Sequence, residues 1–449
     1  MVNYSDHRIH ILVLPYPSQG HINPLFHFAR RLAAHSGVRC TLAVTRFVAS
    51  SVRPATGGSV HVAVFSDGCD AAGPDGVGGH RRPYFERLGS AGPESVDRLL
   101  RSEAELGRPV HAVVYDAFMP WAQGVARRRG AACAAFLTQT CAVDVLYTHL
   151  RAGRIPPPPL AGLPSRLELT DLPTFMVDEN RPPGLLELLT NQFVGLDTVD
   201  QVLVNSFYDL EPQEADYLAS TWGAKTIGPN MPSMYLDNNS SYGIHLHTPK
   251  TSESKAWLDA HLSLSVVYVS FGSLASLTSE QMAEIAESLH SSGKPFLWVV
   301  RARETSKLPA NIADKAKGKG LIVPWCSQLE VLAHPSVGCF VTHCGWNSTL
   351  EAISSGVPIV AMPHWSDQPT NAKYVQDVWR VGVRVLPDSE GVMRREEVER
   401  CVRHVMEGEM CEFRTRALEW SKKAKKAMSK GGSSDINILD FLSKLGYHK

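Results

Sequence analysis

One change of period, between Gly338 and Gly356, does most to restrict what this chain can become. Gly338-Cys339-Phe340-Val341-Thr342 is short, apolar and β-prone, and His343-Cys344-Gly345-Trp346 reads as a turn. From Asn347 the apolar residues Leu350, Ala352 and Ile353 recur at helical spacing, and Gly356-Val357-Pro358 stops them. Such a strand–turn–helix aims the free N–H groups and positive dipole end of the helix at one point, a setting for a phosphate. Asn347 and Ser348 sit at that end and His343 faces the same spot. Glu351, one turn in, is within reach of a diol.

A plainer reading stands beside this one. Ser348-Thr349-Leu350-Glu351 also fits a capping box, in which Ser348 and Glu351 satisfy only the helix start. The whole stretch from Trp325 to Gln368 tips the balance. Trp325 and Gln328 open it, and Trp365, Asp367 and Gln368 close it after a further strand from Pro358 to Met362. Aromatic ring, amide, anion site, carboxylate and polar pair are together the partners a nucleotide-sugar requires.

Earlier in the chain, Arg8–Leu14 is a near-continuous apolar run, as expected of a parallel strand covered on both faces. Asn23 is a predicted N-cap with Pro24 at the first helical position, which leaves His21 on the loop at the carboxyl end of that strand. Further strands are predicted at 39–44, 60–65, 110–115, 131–136 and 201–205, alternating with helices in the rhythm of a doubly wound sheet. Asp116 ends one of them at the same sheet edge as His21, where it serves either as a helix cap for Ala117 onward or as a functional carboxylate. The run Ala72–Gly79 is a flexible glycine-rich loop without a phosphate signature. Between 152 and 183 the sequence is irregular, and the prolines at 156–159 exclude helix or central strand. It reads either as part of an apolar acceptor cleft with Phe118, Met119 and Trp121, or as a surface excursion packed on itself.

A polar tract, 236–252, is the best linker. The second half restarts with a strand at 266–271, and Gly272-Ser273 at its carboxyl end makes Ser273 a further diphosphate donor. Strands at 296–300 and 320–323 follow a helix at 279–289. Helical segments are expected at 371–379, 395–405, 413–428 and 436–445. The chain thus divides into 1–235, the linker, 253–430, and a terminal helix in 431–449 that packs back on the first domain.

Bulk properties remove other classes. Length 449 points to two or three domains, and 45 Lys+Arg against 45 Asp+Glu leaves no field to recruit nucleic acid or a membrane surface. No run approaches the ~18 apolar residues of a spanning helix, and Met1–His10 lacks a signal-peptide pattern. The nine cysteines are scattered, with no zinc spacing, which fits a reduced, cytoplasmic setting. No metal ligand set and no cofactor are expected, and the protein is expected to be a monomer.

The box Trp325–Gln368 resembles, nearly residue for residue, the signature box of plant UDP-sugar-dependent glycosyltransferases of family 1, whose fold is GT-B. PYPSQGHINP, the DAFMPW around Asp116, VNSFYDLEP from Val204 and VYVSFGS from Val267 extend the resemblance over the chain. It implies an α/β protein of two Rossmann-like doubly wound parallel-sheet domains facing across a cleft. It implies Trp325 stacked on uracil with the Cys326 backbone alongside, and Gln328 and Glu351 on the ribose. His343, Asn347 and Ser348 then hold the diphosphate, with Trp346 counted among the donor residues, and Asp367 and Gln368 hold sugar hydroxyls. Gln368 favours UDP-glucose, since in this family a closing Gln goes mostly with glucose and a His with galactose. Thr138 aligns with a position near the sugar 6-hydroxyl, and Gln139, in the TQTC run, is placed with the acceptor residues.

The function expected is metal-independent, inverting transfer of glucose from UDP-glucose to a hydroxyl or carboxyl of a small lipophilic acceptor, such as a phenolic, hormone or terpenoid toxin. His21 is the general base and Asp116 its partner. One alternative is a non-catalytic nucleotide-sugar binding protein of the same fold. Another, a nicotinamide or flavin enzyme, lacks the G-x-G-x-x-G turn it needs at 17–24 or 271–274.

Overall fold

The computed structural model describes residues 9–51, 59–77, 81–154, 162–163, 167–178, 184–232, 251–407 and 410–447. The four-proline run, Gly78, Gly79 and residues 236–250 of the expected linker lie outside the described residues.

Two compact units are present. The first comprises Met1–Arg166, Phe175–Leu246 and Lys426–Lys449; the second comprises Leu167–Thr174 and His247–Lys425. Leu167–Thr174, which sequence position assigns to the first domain, is therefore part of the second unit. The reason is a set of long-range polar contacts that no local pattern encodes.

The first unit is built on seven parallel strands: β1 (Ile9–Leu14), β2 (Val38–Thr45), β3 (Val60–Phe65), β4 (Ala112–Asp116), β5 (Ala132–Leu137), β6 (Gln201–Val204) and β7 (Lys225–Thr226). Their order is β3-β2-β1-β4-β5-β6-β7. Every residue of β1 and β4 is buried, as their near-continuous apolar runs require of strands covered on both faces. The sheet reverses direction of growth between β1 and β4, which pair with Leu14 opposite Tyr115. A crevice at the carboxyl ends of the strands opens at such a point, and ligands of open α/β sheets bind there.

The same plan recurs in the second unit: β8 (Val266–Ser270), β9 (Phe296–Val299), β10 (Gly320–Val323), β11 (Val337–Thr342), β12 (Ile359–Ala361) and β13 (Gly382–Arg384), in the order β10-β9-β8-β11-β12-β13. Its reversal lies between β8 and β11, with Ser270 opposite Thr342. The helix predicted from Asn371 begins at Gln368 and gives way at Tyr374–Val378 to a π-turn.

The last helix, Ser433–Lys444, completes the first unit. Ile438, Phe441 and Leu442 join the core formed by Ile9, Ile11, Phe28 and their neighbours. Ser434 Oγ donates to the Gly228 carbonyl at 2.6 Å and Asn437 Nδ2 to that of Thr226 at 2.8 Å, tying the helix to the end of β7.

Candidate active site

In the first unit the structure brings His21 and Asp116 together. The helix after β1 runs from Gln19 to Ala33, with Ser18 rather than Asn23 before it, so Pro24 lies inside the helix and His21 in its first turn. The predicted start is five residues too late. The amide N–H groups of His21 and Ile22 already turn back on the Ser18 carbonyl at 3.0 and 2.9 Å. Asn23 caps nothing; its Oδ1 accepts from Gln19 Nε2 at 2.8 Å. A proline this close to a helix start forgoes one intrahelical bond, which local packing tolerates.

His21 Nδ1 is 2.7 Å from Asp116 Oδ2, and the carboxylate has no exposed surface. The other carboxylate oxygen accepts from the Phe118 N–H at 3.0 Å. Asp116 thus serves as a local turn-former and as the histidine's partner at once, and the helix that follows starts only at Trp121. With Nδ1–H engaged by a carboxylate, Nε2 carries the basic lone pair. Thr138 Oγ1 lies 3.3 Å from the same Nδ1, so Thr138 belongs to the surroundings of His21.

Aromatic rings gather beside this imidazole, and of them the sequence singled out only Phe118. Tyr16 meets it edge-on at 5.2 Å between centroids, and Phe118 lies at 4.8 Å. Phe85 stands 5.9 Å from Tyr16. Tyr84, whose hydroxyl donates to buried Asp67 at 2.6 Å, backs Tyr16 at 6.5 Å. Tyr16 was legible within the PYPSQGHINP run, whereas Phe85 carries no local signal. Of the predicted acceptor residues, half-buried Phe118 presents a ring beside His21. Met119 has no exposed surface. Trp121 packs on Gly92 of the helix Arg81–Glu105, where an added Cβ would lie 2.8 Å from its ring. Gln139 is buried and accepts from Gln192 Nε2 at 3.2 Å.

In the second unit the helix after β11 spans Trp346–Ser355 with Gly345 as its cap residue and no side-chain cap. Ser348 is therefore the third helical residue and the capping box does not form. Both members instead meet Gln328, whose Nε2 donates to Ser348 Oγ at 2.9 Å and to Glu351 Oε2 at 2.7 Å. Tyr268 of β8 donates to Gln328 Oε1 at 3.3 Å and lies 3.6 Å from Cys326 Sγ. The amide is thus held at both ends, beside half-buried Trp325. Burial raises the Glu351 carboxyl to about 7, against the opposing pull of Gln328.

His343 sits between two close backbones. A Cβ at Gly272 or Gly345 would fall 2.7 or 2.6 Å from its ring. Desolvation lowers its pKa to about 3, with His364 and Arg301 adding and a bond to the Ser270 backbone opposing. The ring is neutral at any physiological pH and acts as a hydrogen-bonding group. Gly272 also has φ +70°, so Gly272→Ala combines a left-handed backbone with a clash. We expect that variant to lose about 1–3 kcal/mol of stability and to bind UDP more weakly, checked by thermal melts and calorimetry.

The Ser273 carbonyl accepts from Arg301 and, at 3.1 Å, from Arg303. Trp346 is buried against Trp379, 6.0 Å between centroids. Half-buried Asn347 follows it in the first turn. Asp367 Oδ2 accepts from Asn371 at 2.7 Å, and Gln368 Oε1 accepts from the N–H groups of His364 and Trp365 at 2.9 and 3.0 Å. Among the described residues, no three His, Cys, Asp or Glu converge as metal ligands.

These geometries meet independent likenesses. A family profile described as UDP-glucoronosyl and UDP-glucosyl transferase matches residues 209–422. A UDP-glucosyltransferase of Hordeum vulgare subsp. vulgare is 47% identical over 453 residues, 97% of this chain and 94% of its own. UDP-glycosyltransferase 79 of Oryza sativa subsp. japonica is 48% identical over 451 residues, 97% of this chain and 96% of its own. The crystal structure of Os79 from O. sativa in complex with UDP superposes with a TM-score of 0.92 at 47% identity, covering 97% of this chain and 100% of that one. Likeness of this extent, over both sheets and the box Trp325–Gln368, makes the chain a member of the plant family 1 UDP-sugar-dependent glycosyltransferases, with the GT-B fold of two Rossmann-like domains.

Proposed function

We propose that the protein transfers glucose from UDP-glucose to a hydroxyl or carboxyl of a small lipophilic acceptor, with inversion to a β-glucoside. The observation that carries this is the 2.7 Å pair of His21 and wholly buried Asp116 at the reversal point of the first sheet. The acceptor O–H gives its proton to His21 Nε2 as its oxygen attacks the anomeric carbon. The bond from that carbon to the diphosphate breaks with its electrons leaving on UDP. Asp116 orients the imidazole and stabilises the imidazolium.

Trp325 stacks on the base, Gln328 and Glu351 take the ribose hydroxyls, and Asp367 and Gln368 take the sugar. Since His343 is neutral, charge developing on the diphosphate is met by dipoles: the N–H groups of Asn347 and Ser348, the His343 ring and Ser273. Phe118, with Tyr16 and Phe85, gives the acceptor an aromatic wall beside the base.

Relatives point to the acceptor class. Os79 has been crystallised with a trichothecene, and with UDP and deoxynivalenol-3-glucoside. Other similar proteins are a flavonol 7-O-beta-glucosyltransferase of Arabidopsis thaliana and a crocetin glucosyltransferase of Crocus sativus. Terpenoid alcohols are therefore the first acceptors to screen, then phenols and carboxylic acids, and a detoxifying role follows. No helix of the described residues is long and apolar enough to cross a membrane. We place the protein in the cytoplasm as a monomer, which size-exclusion chromatography tests. The decisive assay is incubation with UDP-glucose and the three acceptor classes, read by UDP release and product mass. UDP-glucose binding without turnover on any class would favour the non-catalytic alternative.

A further inference from the structure

The chain joins the second unit at Leu167 and leaves it after Thr174. This short strap opens with the 3-10 turn Leu169–Asp171, closed by the Glu168 N–H donating to Asp171 Oδ2 at 3.0 Å. Leu167 and Leu172 are buried. Asp171 is only 4% exposed, and a carboxylate so enclosed needs partners. Arg384 of β13 donates to its Oδ1 at 2.7 Å and to the Thr170 carbonyl at 2.9 Å, and Lys373 lies 3.5 Å from its Oδ2. The Thr370 hydroxyl donates to the Asp171 carbonyl at 2.7 Å.

The other end of the strap grips a turn. The Thr174 N–H donates to the Ser366 carbonyl at 2.9 Å, and the Ser366 N–H donates to Thr174 Oγ1 at 2.8 Å. Ser366 has φ +63°, a left-handed conformation that a residue with a side chain adopts when its surroundings impose it. The turn's polar backbone is thus held from two sides. Gln368 takes the N–H groups of His364 and Trp365, and Thr174 takes both groups of Ser366. Asp367 and Gln368 follow directly.

We propose that Thr174, anchored through Asp171, is a positioning residue for the donor hexose: it fixes the turn that presents Asp367 and Gln368 and so helps set which sugar is accepted. This rests on the assignment of those two residues to the sugar hydroxyls. The uracil and ribose partners, Trp325, Gln328 and Glu351, lie on other elements. Loss of the strap's grip therefore separates sugar recognition from nucleotide binding.

The test compares Thr174→Val, Thr174→Ser and Asp171→Asn with Asp367→Ala. Thr174→Val leaves the Ser366 N–H without its acceptor, and we expect KM for UDP-glucose to rise about tenfold. The preference for UDP-glucose over UDP-galactose falls, while the Kd of UDP by calorimetry stays within about twofold. Thr174→Ser, which keeps the hydroxyl, restores KM. Asp171→Asn shifts KM in the same direction as Thr174→Val and provides the reading should the valine variant fold poorly. An unchanged KM and sugar preference in Thr174→Val overturns the inference. So does a UDP affinity that falls in step, because the strap would then merely stabilise the unit. If Asp367→Ala also leaves KM untouched, the sugar assignment itself fails. If Asp367→Ala raises KM and Thr174→Val does not, only the role of the strap falls.

Discussion

Replacing His21 by alanine is expected to lower kcat on hydroxyl acceptors by about 10²–10⁴, with the Kd of UDP unchanged. On the proposed mechanism His21 takes the acceptor proton, and the carboxylate that holds its imidazole is Asp116, at 2.7 Å. Asp116→Asn should lose a comparable factor by another route. An amide at Oδ2 presents N–H to Nδ1, which turns the ring over to the tautomer protonated on Nε2 and leaves no lone pair for the acceptor. The Phe118 N–H can still bond to the amide oxygen, so the turn after β4 survives. The two variants therefore fold alike and fail alike. A carboxylate acceptor is already ionised, so the same variants lose much less on it. Steady-state kinetics on a paired alcohol and acid check both statements, and equal losses on the two would remove His21 from the role of base.

Glu351→Ala is expected to weaken UDP binding about 10- to 100-fold, the worth of hydrogen bonds to a charged acceptor. A pH signature accompanies it. Burial raises the free carboxyl to about 7, while on the proposed assignment the ribose hydroxyls would donate to its ionised form. UDP affinity of the wild-type protein therefore rises with pH towards 7 and flattens above it, and Glu351→Gln abolishes that dependence. Stability of the ligand-free protein moves the other way. A carboxyl raised from 4.5 to about 7 on folding contributes most below 4.5, and the contribution is lost as pH rises through 7. Glu351→Gln should accordingly melt higher than wild type above pH 7, with the difference gone near pH 4.5. Calorimetric titrations of UDP and thermal melts across this range test both signs. A flat wild-type profile would remove Glu351 from the ribose site.

Most strands of both sheets were legible because they announce themselves: β3 and β10 fall on the residues their apolar runs predict, whereas the two-residue β7 carries no such run. The pairing of His21 with Asp116 had a topological cue beside the family resemblance, since Asp116 ends β4, His21 opens the helix after β1, and the two strands meet at the reversal. Local helix-start rules served less well. Asn23-Pro24 and Ser348–Glu351 both carry strong start signatures, yet each lies inside a helix already begun at a residue with weaker credentials, Ser18 or Gly345. Only at Ser348 and Glu351 does a tertiary partner take the place of the local bond. Asn23 engages Gln19 within its helix, but Ser348 and Glu351 turn to Gln328, 20 and 23 residues away. Contacts between distant segments were not legible at all. Thr174 on Ser366, and Phe85 against Tyr16, exist only once the chain is folded.

The seat of the base has an unexpected dependence on the tail of the polypeptide. Ile438, Phe441 and Leu442 fill the same apolar interior as Ile9 and Phe28, so the strand that leads to His21 lacks part of its lining until the helix Ser433–Lys444 is present. On the ribosome, the half made first is the half finished last. It must wait, partly uncovered, while the nucleotide-gripping half is synthesised and can close on itself. A nonsense codon near the 3′ end would thus strike hardest at chemistry encoded near the 5′ end.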